Sequence, residues 1–153
     1  MKKVYQTIVA KGNGNCEQAA LASIFEMDLN DVINIHDYGE GWYFELTKFY
    51  QKNGFEDLTP FNPKGLSKEL VQKVLEHDNG VNGYFVATVP SQTFKDVTHA
   101  VVIDKSMNIV HDPNPNEKAL KLTYNDIIAI DTVKNDWHID VDGKFIANSY
   151  EQV

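Results

Sequence analysis

The chain has 153 residues with a single cysteine, and its formal net charge is −8 at pH 7. This acidic balance argues against nucleic acid or an anionic membrane as a partner, and one cysteine excludes an internal disulfide or a cysteine-based zinc site. The apolar content of 42% is typical of a globular protein, and the length predicts one domain over residues 1–153. The N-terminus lacks the apolar run of a signal peptide and no segment is long enough to span a membrane, so we expect a cytoplasmic protein.

In chain order, the first half is predicted to be mainly helical. Residues 4–10 are expected to form a short strand or an extended arm before a glycine-spaced loop. Apolar residues at helical spacing, with start and stop signals around them, predict helices over residues 16–27, 28–33 and 42–53, and a fourth from Ser67 to just before Asp78. Residues 55–63 contain two prolines and are expected to be extended.

The second half is rich in branched and aromatic residues, which favour strands. Strands are predicted over residues 84–89, 99–103, 107–111 and 127–130. A final hairpin is predicted from residues 138–141 and 144–147, which flank the two-residue turn Asp142-Gly143. Helices followed by an antiparallel sheet predict an α+β fold.

The only cysteine, Cys16, lies where the glycine-spaced loop meets the first helix. Asn15 is predicted to be the N-cap of this helix, and Gln18 completes a capping-box pattern. The first helical turn has unpaired backbone N–H groups and the positive end of the helix dipole, both of which favour a thiolate. The pattern predicts a nucleophilic cysteine, and the alternative interpretation is a small buried hydrophobic residue.

A cysteine nucleophile needs a base and a third group that orients the base. His99 begins an apolar strand after a polar stretch, so we expect it at the mouth of a cleft. If Asp104-Lys105-Ser106 is the turn into the next strand, Asp112 returns to the end of the sheet where His99 lies. Asp112 would then hold the imidazole in one tautomer and stabilise its protonated form, unless it belongs only to a turn. Strand alternation points His111 to the opposite face, where a structural role is expected.

Attack on a carbonyl group also requires hydrogen-bond donors for the oxyanion that develops. The backbone N–H of Cys16 is one expected donor, and a side-chain amide of Gln6, Asn13 or Asn15 is expected to supply the second. Gln6 is favoured because it lies on the segment that leads into the loop, whereas Asn15 is expected to cap the helix.

These motifs together resemble the papain-like cysteine peptidase superfamily. They are most similar to its branch related to bacteriocin-leader-processing peptidases, and to a group of small phage and bacterial proteins of largely unassigned function. The stretches that carry the resemblance are Gln6-Thr7, Gly14-Asn15-Cys16, Ala19 to Ser23, Trp42 with Leu46, His99 to Val102, and His111 to Pro115. The spacing between Gln6 and Cys16 is longer than in papain-type peptidases.

The resemblance implies a papain-like α+β fold, in which a buried helix that carries Cys16 packs on an antiparallel sheet that carries His99 and Asp112. It also implies that Gln6 lies in the oxyanion hole. The expected activity needs no cofactor and no metal. The expected substrate is a peptide or another amide-containing molecule, and it extends to host proteins if the chain is encoded by a phage.

Three functions from different classes follow from these patterns. The first is a cysteine-dependent hydrolase of an amide, isopeptide or related acyl bond, and the same residues would serve acyl transfer of the transglutaminase or deamidase type. The second is a non-catalytic binding or inhibitor protein of a phage or mobile element, with aromatic residues near Trp42 as its anchors. The third is a metal-dependent hydrolase that uses His36, His99 or His111 together with aspartates.

Overall fold

The computed structural model describes residues 1–147, so residues 148–153 at the end of the predicted domain lie outside the described range. Its centre is a five-stranded antiparallel sheet with the strand order β1-β5-β2-β3-β4. The strands are β1 (Thr59–Phe61), β2 (Tyr84–Pro90), β3 (Thr98–Asp104), β4 (Ile109–His111) and β5 (Ala129–Thr132). The expectation of a mixed helical and sheet protein with an antiparallel sheet is confirmed.

Within residues 1–147, three α-helices accompany the sheet, and their ends lie close to the signals in the sequence. They are α1 (Cys16–Phe25), α2 (Trp42–Lys52) and α3 (Lys68–Asp78). Ser67 caps α3, because its Oγ accepts a hydrogen bond from the N–H of Leu70 at 3.1 Å. The helix predicted over residues 28–33 is only a 3₁₀ turn at Leu29–Asp31. Within residues 1–147, none of the helices combines the length and the apolar character needed to cross a membrane.

The sheet buries both of its faces. On β2, Val86 packs with α1 and α2 on one face, whereas Phe85 and Ala87 pack with α3 on the other. A separate hairpin completes the second face, where its aromatic residues pack; its strands are β6 (Trp137–Ile139) and β7 (Phe145–Ala147). Because alternate side chains of a strand point to opposite faces, burial on both faces explains the nearly continuous apolar run of β2.

Helix α1 lies close to the sheet because most of its buried side chains are small. Ala19, Ala20 and Ala22 are each 0% exposed, and the helix packs against β2 and β3. Short side chains let the helix backbone approach the strands closely at normal packing density. The alanine-rich run therefore places the N-terminal end of α1, which carries Cys16, beside β3.

For the N-terminal arm, the structure selects one of the two predicted alternatives. For the final hairpin, it differs from the prediction. Residues 4–10 form an extended arm and do not join the sheet. The final hairpin is not closed by a two-residue turn, since residues 140–144 separate its strands. The reason is a side chain: Oδ1 of Asp140 accepts hydrogen bonds from the N–H groups of Asp142 and Lys144, both at 2.9 Å, and so organises a wider loop.

The buried carboxylate of Asp78, at the end of α3, fixes the chain just after β5. It is 0% exposed. It accepts hydrogen bonds from the N–H of Val133 at 3.0 Å, from the N–H of Lys134 at 2.9 Å and from Nε1 of Trp137 at 3.3 Å. Burial raises the pKa of Asp78, and these donors offset only part of that effect. Asp78 thereby ties α3 to the end of β5 and to the hairpin.

Replacing Asp78 with alanine should lower the free energy of unfolding by about 2–4 kcal/mol, because the buried N–H groups of Val133 and Lys134 lose their acceptor. Urea unfolding measures this difference. Asp142→Ala, at an exposed position of the hairpin loop, is the control and should stay within about 0.5 kcal/mol of the wild type. Equal stability of the two variants would contradict the role given to Asp78.

Candidate active site

A cleft of about 700 Å³ opens beside the N-terminal end of α1. The N-terminal arm, α2 and the loop between β2 and β3 form its walls, through residues such as Gln6, Trp42 and Phe94. Cys16 and His99 both belong to its lining. Its volume lies within the range of ligand-binding sites in proteins.

A row of short side chains forms the floor of this cleft. Thr88 of β2 pairs with Ala100 of β3 on one side and with Ala129 of β5 on the other, and all three residues line the cleft. Directly paired residues of an antiparallel sheet project from the same face. The cleft is open because no large side chain stands in this row.

Cys16 is the first residue of α1, as the sequence predicts. Its Sγ accepts a hydrogen bond from the backbone N–H of Ala100 at 3.5 Å, which ties the thiol to β3. Burial raises the pKa of the thiol, but hydrogen bonding to His99, the charge of His99 and the N–H groups of Ala100 and Glu17 lower it overall. A lowered pKa favours the thiolate, which is the nucleophilic form.

His99 connects Cys16 with Asp112. Its Nε2 lies 2.6 Å from Oδ1 of Asp112, so Nδ1 is the ring nitrogen left for the thiol. Burial lowers the pKa of His99, but hydrogen bonds to Asp112 and Cys16 outweigh burial and raise the pKa to about 9. This pKa favours the imidazolium at neutral pH, and the charge of His99 in turn favours the thiolate of Cys16, so the two groups are poised to form an ion pair.

Asp112 stays ionised because three donors hold its carboxylate. Oδ1 accepts from His99 and from the N–H of Asn114 at 2.9 Å, and Oδ2 accepts from the N–H of Ala119 at 2.9 Å. Burial raises the pKa of Asp112, but these hydrogen bonds lower it overall. The bond to Asn114 also closes a local turn of the kind that Asp residues favour. Asp112 therefore belongs to a turn and orients His99 at the same time.

Gln6 lies on the arm and lines the cleft. Its backbone N–H donates to the carbonyl oxygen of Pro113, the residue after Asp112, at 2.9 Å. Its Nε2 donates to the carbonyl oxygen of Ile8 at 2.8 Å, and the second N–H of the amide remains for another partner. Its Oε1 is buried and has no hydrogen-bond partner among residues 1–147. The side chain thus keeps one N–H for a ligand, while its buried oxygen is unsatisfied.

Asn15 is the N-cap residue of α1, as predicted, but the side-chain capping that was expected of it is absent. Its side chain makes no hydrogen bond to the first turn of the α1 backbone. Instead, Oδ1 accepts from the N–H groups of Thr7 at 3.0 Å and Ile8 at 2.8 Å, and Nδ2 donates to Oε1 of Gln18 at 3.2 Å. The two unpaired N–H groups of the arm compete successfully for the side-chain oxygen. Asn15 therefore fastens the arm to the start of α1, and this fixes Gln6 beside the cleft.

Gly14 stands where the loop passes the arm at very short range. A Cβ atom on this residue would lie 2.9 Å from the carbonyl oxygen of Ile8 and 3.3 Å from the backbone of Ala10. Real Cβ atoms do not approach a backbone oxygen so closely, so any larger residue would push the arm away. Glycine is required here for the contact that holds the arm against α1.

The other histidines do not contribute to the ion pair. His111 is 1% exposed, and its Nε2 lies 2.7 Å from the carbonyl oxygen of Val4, which fits the structural role expected from strand alternation. His36 lines the cleft wall. Among residues 1–147, no three His, Cys, Asp or Glu side chains are grouped closely enough to hold a metal ion. The metal-dependent alternative therefore lacks a ligand set in that range.

Sequence reasoning missed two acidic residues of the cleft, Glu17 and Asp131. Burial and the charges of Asp131 and Cys16 raise the pKa of Glu17 well above its usual range. Burial raises the pKa of Asp131 to about 7. In the sequence, Glu17 is an ordinary acidic residue of a first helical turn. The only sequence signal for Asp131 is that it lies two residues after Ala129, so that both side chains project from the same face of β5.

Comparison of the chain with protein-family models, with curated proteins and with solved structures found no match. The resemblance of the motifs to papain-like peptidases therefore stays a prediction. The case for a function depends on the geometry and electrostatics of the cleft.

The ion pair predicts how the reactivity of Cys16 depends on pH. In the wild type, the thiolate persists through neutral pH while His99 is protonated, so alkylation by iodoacetamide should be fast and nearly independent of pH there. In His99→Ala, the cation is lost and only the N–H groups of Ala100 and Glu17 still oppose burial, so the pKa of the thiol rises. The alkylation rate at neutral pH should then fall roughly tenfold or more. Intact-mass spectrometry measures both rates.

His138→Ala is the matched control, because His138 is an exposed histidine of β6 outside the cleft lining. Its alkylation profile should match that of the wild type. A wild-type rate no faster than that of a free cysteine, or an unchanged profile in His99→Ala, would contradict the ion pair.

Proposed function

We propose that the chain is a cysteine-dependent hydrolase of amide or related acyl bonds, and more specifically one of papain-like arrangement. The observation that carries the proposal is that Cys16 and His99 share the lining of an open cleft, where His99 is hydrogen-bonded to Asp112 at 2.6 Å and lowers the pKa of the thiol. A helix that carries the cysteine and a sheet end that carries the base and the acid are also what the motif resemblance implies. The order of cysteine, histidine and aspartate along the chain also agrees with this resemblance.

In the proposed first half-reaction, the thiolate of Cys16 attacks the carbonyl carbon of the substrate. A C–S bond forms, and the π electrons of the carbonyl move to its oxygen. The backbone N–H of Cys16 and the second N–H of Gln6 would stabilise this oxyanion. When the tetrahedral intermediate collapses, the C–N bond breaks and His99 gives its proton to the leaving amine. A thioester at Cys16 and a neutral imidazole remain.

In the second half-reaction, water takes the place of the departed amine. His99 removes a proton from the water as it attacks the thioester, and the same two donors would hold the second oxyanion. Collapse breaks the C–S bond, releases the carboxylic acid and restores the thiolate beside the imidazolium. Asp112 acts in both halves, because its charge stabilises the imidazolium and its Oδ1 fixes the ring orientation.

The state of the cleft favours catalysis over the binding alternative. A protein that had kept the fold only to bind a partner would be expected to have separated the thiol from the imidazole or to have filled the cleft. Here the cleft of about 700 Å³ reaches Cys16. The aromatic side chains of Trp42 and Tyr43, expected as anchors for a partner, line the same cleft and so lie within reach of a substrate.

A peptide library tests the proposal without knowledge of the substrate. The library is made by digesting a cell lysate and blocking all free amines, so that any new amine marks a cleaved bond. The wild-type protein should generate new amino termini that mass spectrometry identifies, and Cys16→Ala should generate none. Acyl transfer would appear as peptides joined to an added amine such as glycinamide. If neither product forms and Cys16 alkylates at an ordinary rate, the proposal fails.

Gln6→Ala should lower kcat/KM for a peptide found in that library by about 100-fold, because an oxyanion donor acts mainly on the transition state. Alkylation of Cys16 by iodoacetamide should change little, since the donor does not set the pKa of the thiol. Gln51→Ala, an exposed glutamine of α2, is the control with wild-type turnover. Full turnover in Gln6→Ala would remove Gln6 from the oxyanion hole and leave the other three residues in place.

A further inference from the structure

Two carboxyl groups line the proposed active-site cleft close to the nucleophile. Glu17 directly follows Cys16 in the first turn of α1. Asp131 lies on β5 opposite Pro60 of β1, two residues beyond Ala129 and therefore on the same face of the sheet as the cleft floor. The mechanism proposed above uses neither residue.

Neither carboxylate has a cationic or hydrogen-bonding partner within residues 1–147. The ion pairs found there join other residues. No donor lowers the pKa of either group: burial and the charges of Asp131 and Cys16 raise that of Glu17, and burial raises that of Asp131 to about 7. Two desolvated acids without a compensating charge oppose folding, and such arrangements concentrate at sites that act on a ligand.

A third unsatisfied acceptor lines the same cleft. The Oε1 atom of Gln6 is buried without a hydrogen-bond partner among residues 1–147, and the residue is only 7% exposed. A buried acceptor without a donor is costly and normally indicates an absent partner. Apart from the N–H of Gln6 that the proposed mechanism uses, the unsatisfied groups on Gln6, Glu17 and Asp131 thus include three acceptors. The complementary ligand carries N–H donors and positive charge.

Aromatic and apolar side chains stand beside the acidic pair. Trp42, Tyr43, Leu58 and Pro60 line the same cleft as Asp131, and Pro60 pairs directly with Asp131 across β1 and β5. The Tyr43 hydroxyl donates to the carbonyl oxygen of Leu58 at 2.5 Å and so holds the ring in place. Aromatic faces attract organic cations, and apolar walls suit the methylene stem of a lysine.

We propose that Glu17 and Asp131 form a subsite for a basic side chain of the substrate, lysine or arginine, close to the bond that Cys16 attacks. This inference rests on the proposed function of the cleft. The aromatic and apolar walls beside the pair suit an organic cation better than a hydrated metal ion, and within residues 1–147 no third His, Cys, Asp or Glu side chain joins the pair. One basic residue of a peptide satisfies the two acids, and its backbone N–H groups supply donors for Gln6.

The test uses peptidyl acyloxymethyl ketones, in which the thiolate displaces a carboxylate leaving group and forms a stable thioether. Pairs of probes carry lysine or norleucine, at the residue next to the ketone or at the one before it. Norleucine has the stem of lysine without the ammonium group, so each pair isolates the charge. Intact-mass spectrometry gives the second-order rate of Cys16 modification. In the wild type, the lysine probe of at least one pair should react roughly tenfold faster than its norleucine partner.

Matched variants assign the preference to the acidic pair. In Glu17→Gln combined with Asp131→Asn, the ratio of lysine to norleucine rates should fall to about one, because the stem contacts remain and the charges are gone. Each single variant should show an intermediate ratio. Glu56→Gln removes an exposed charge outside the cleft lining and should keep the wild-type ratio, which controls for the net charge of the protein. The ratio within one variant also cancels any change in the reactivity of the thiol itself.

The failure of this inference differs from the failure of the proposed function. If wild-type Cys16 alkylates rapidly with iodoacetamide but no probe pair favours lysine, the subsite is overturned and the hydrolase proposal stands. A lysine preference that survives in the double variant overturns the subsite in the same way. If Cys16 reacts with iodoacetamide no faster than free cysteine and with no probe, both are overturned.

Discussion

The charge of Asp112 is the constraint on which the site depends. This carboxylate is 2% exposed, yet its pKa lies below the usual value, because His99 and the N–H groups of Asn114 and Ala119 satisfy its oxygens. An ionised carboxylate at this position raises the pKa of His99, and the charge of His99 in turn lowers the pKa of the Cys16 thiol. Loss of the charge of Asp112 would therefore lower the pKa of His99, and with it the stabilisation of the Cys16 thiolate.

The second requirement is that Cys16 and His99, which lie far apart in the sequence, come together in the fold. Close packing meets this requirement. The alanine-rich face of α1 allows the helix to approach β3, and Gly14 allows the arm to pass close to the loop. The arm is fastened by Asn15 at one end and by the buried His111 near the other. These contacts also position Gln6, so that a single packing arrangement builds the nucleophile and one wall of the cleft. The carboxyl groups of Glu17 and Asp131 have raised pKa values in that cleft, and a basic substrate group would favour their ionised forms.

Much of this architecture could be predicted, because it follows from local rules. Cys16 at a helix start and His99 at a strand start follow from residue type and periodicity, and the contact of His99 with Asp112 follows from pairing across a short turn. The N-cap position of Asn15 was predicted correctly, but its side-chain capping was not, because a carboxamide at a helix start can bind a distant segment as readily as its own helix. The free acceptor of Gln6 and the meeting of Glu17 with Asp131 could not be predicted, since both depend on how α1 sits over the sheet.

The protonation state of His99 tests the central claim most directly. Nuclear magnetic resonance of the protein with ¹⁵N-labelled histidine reports the charge and the protonated nitrogen of this ring as the pH is changed. The ion pair predicts an imidazolium at neutral pH that loses its proton only near pH 9, and a lower pKa of His99 in Cys16→Ala, where the thiolate is absent. A neutral His99 ring at pH 7 in the wild type, or the same pKa with and without Cys16, would contradict the account.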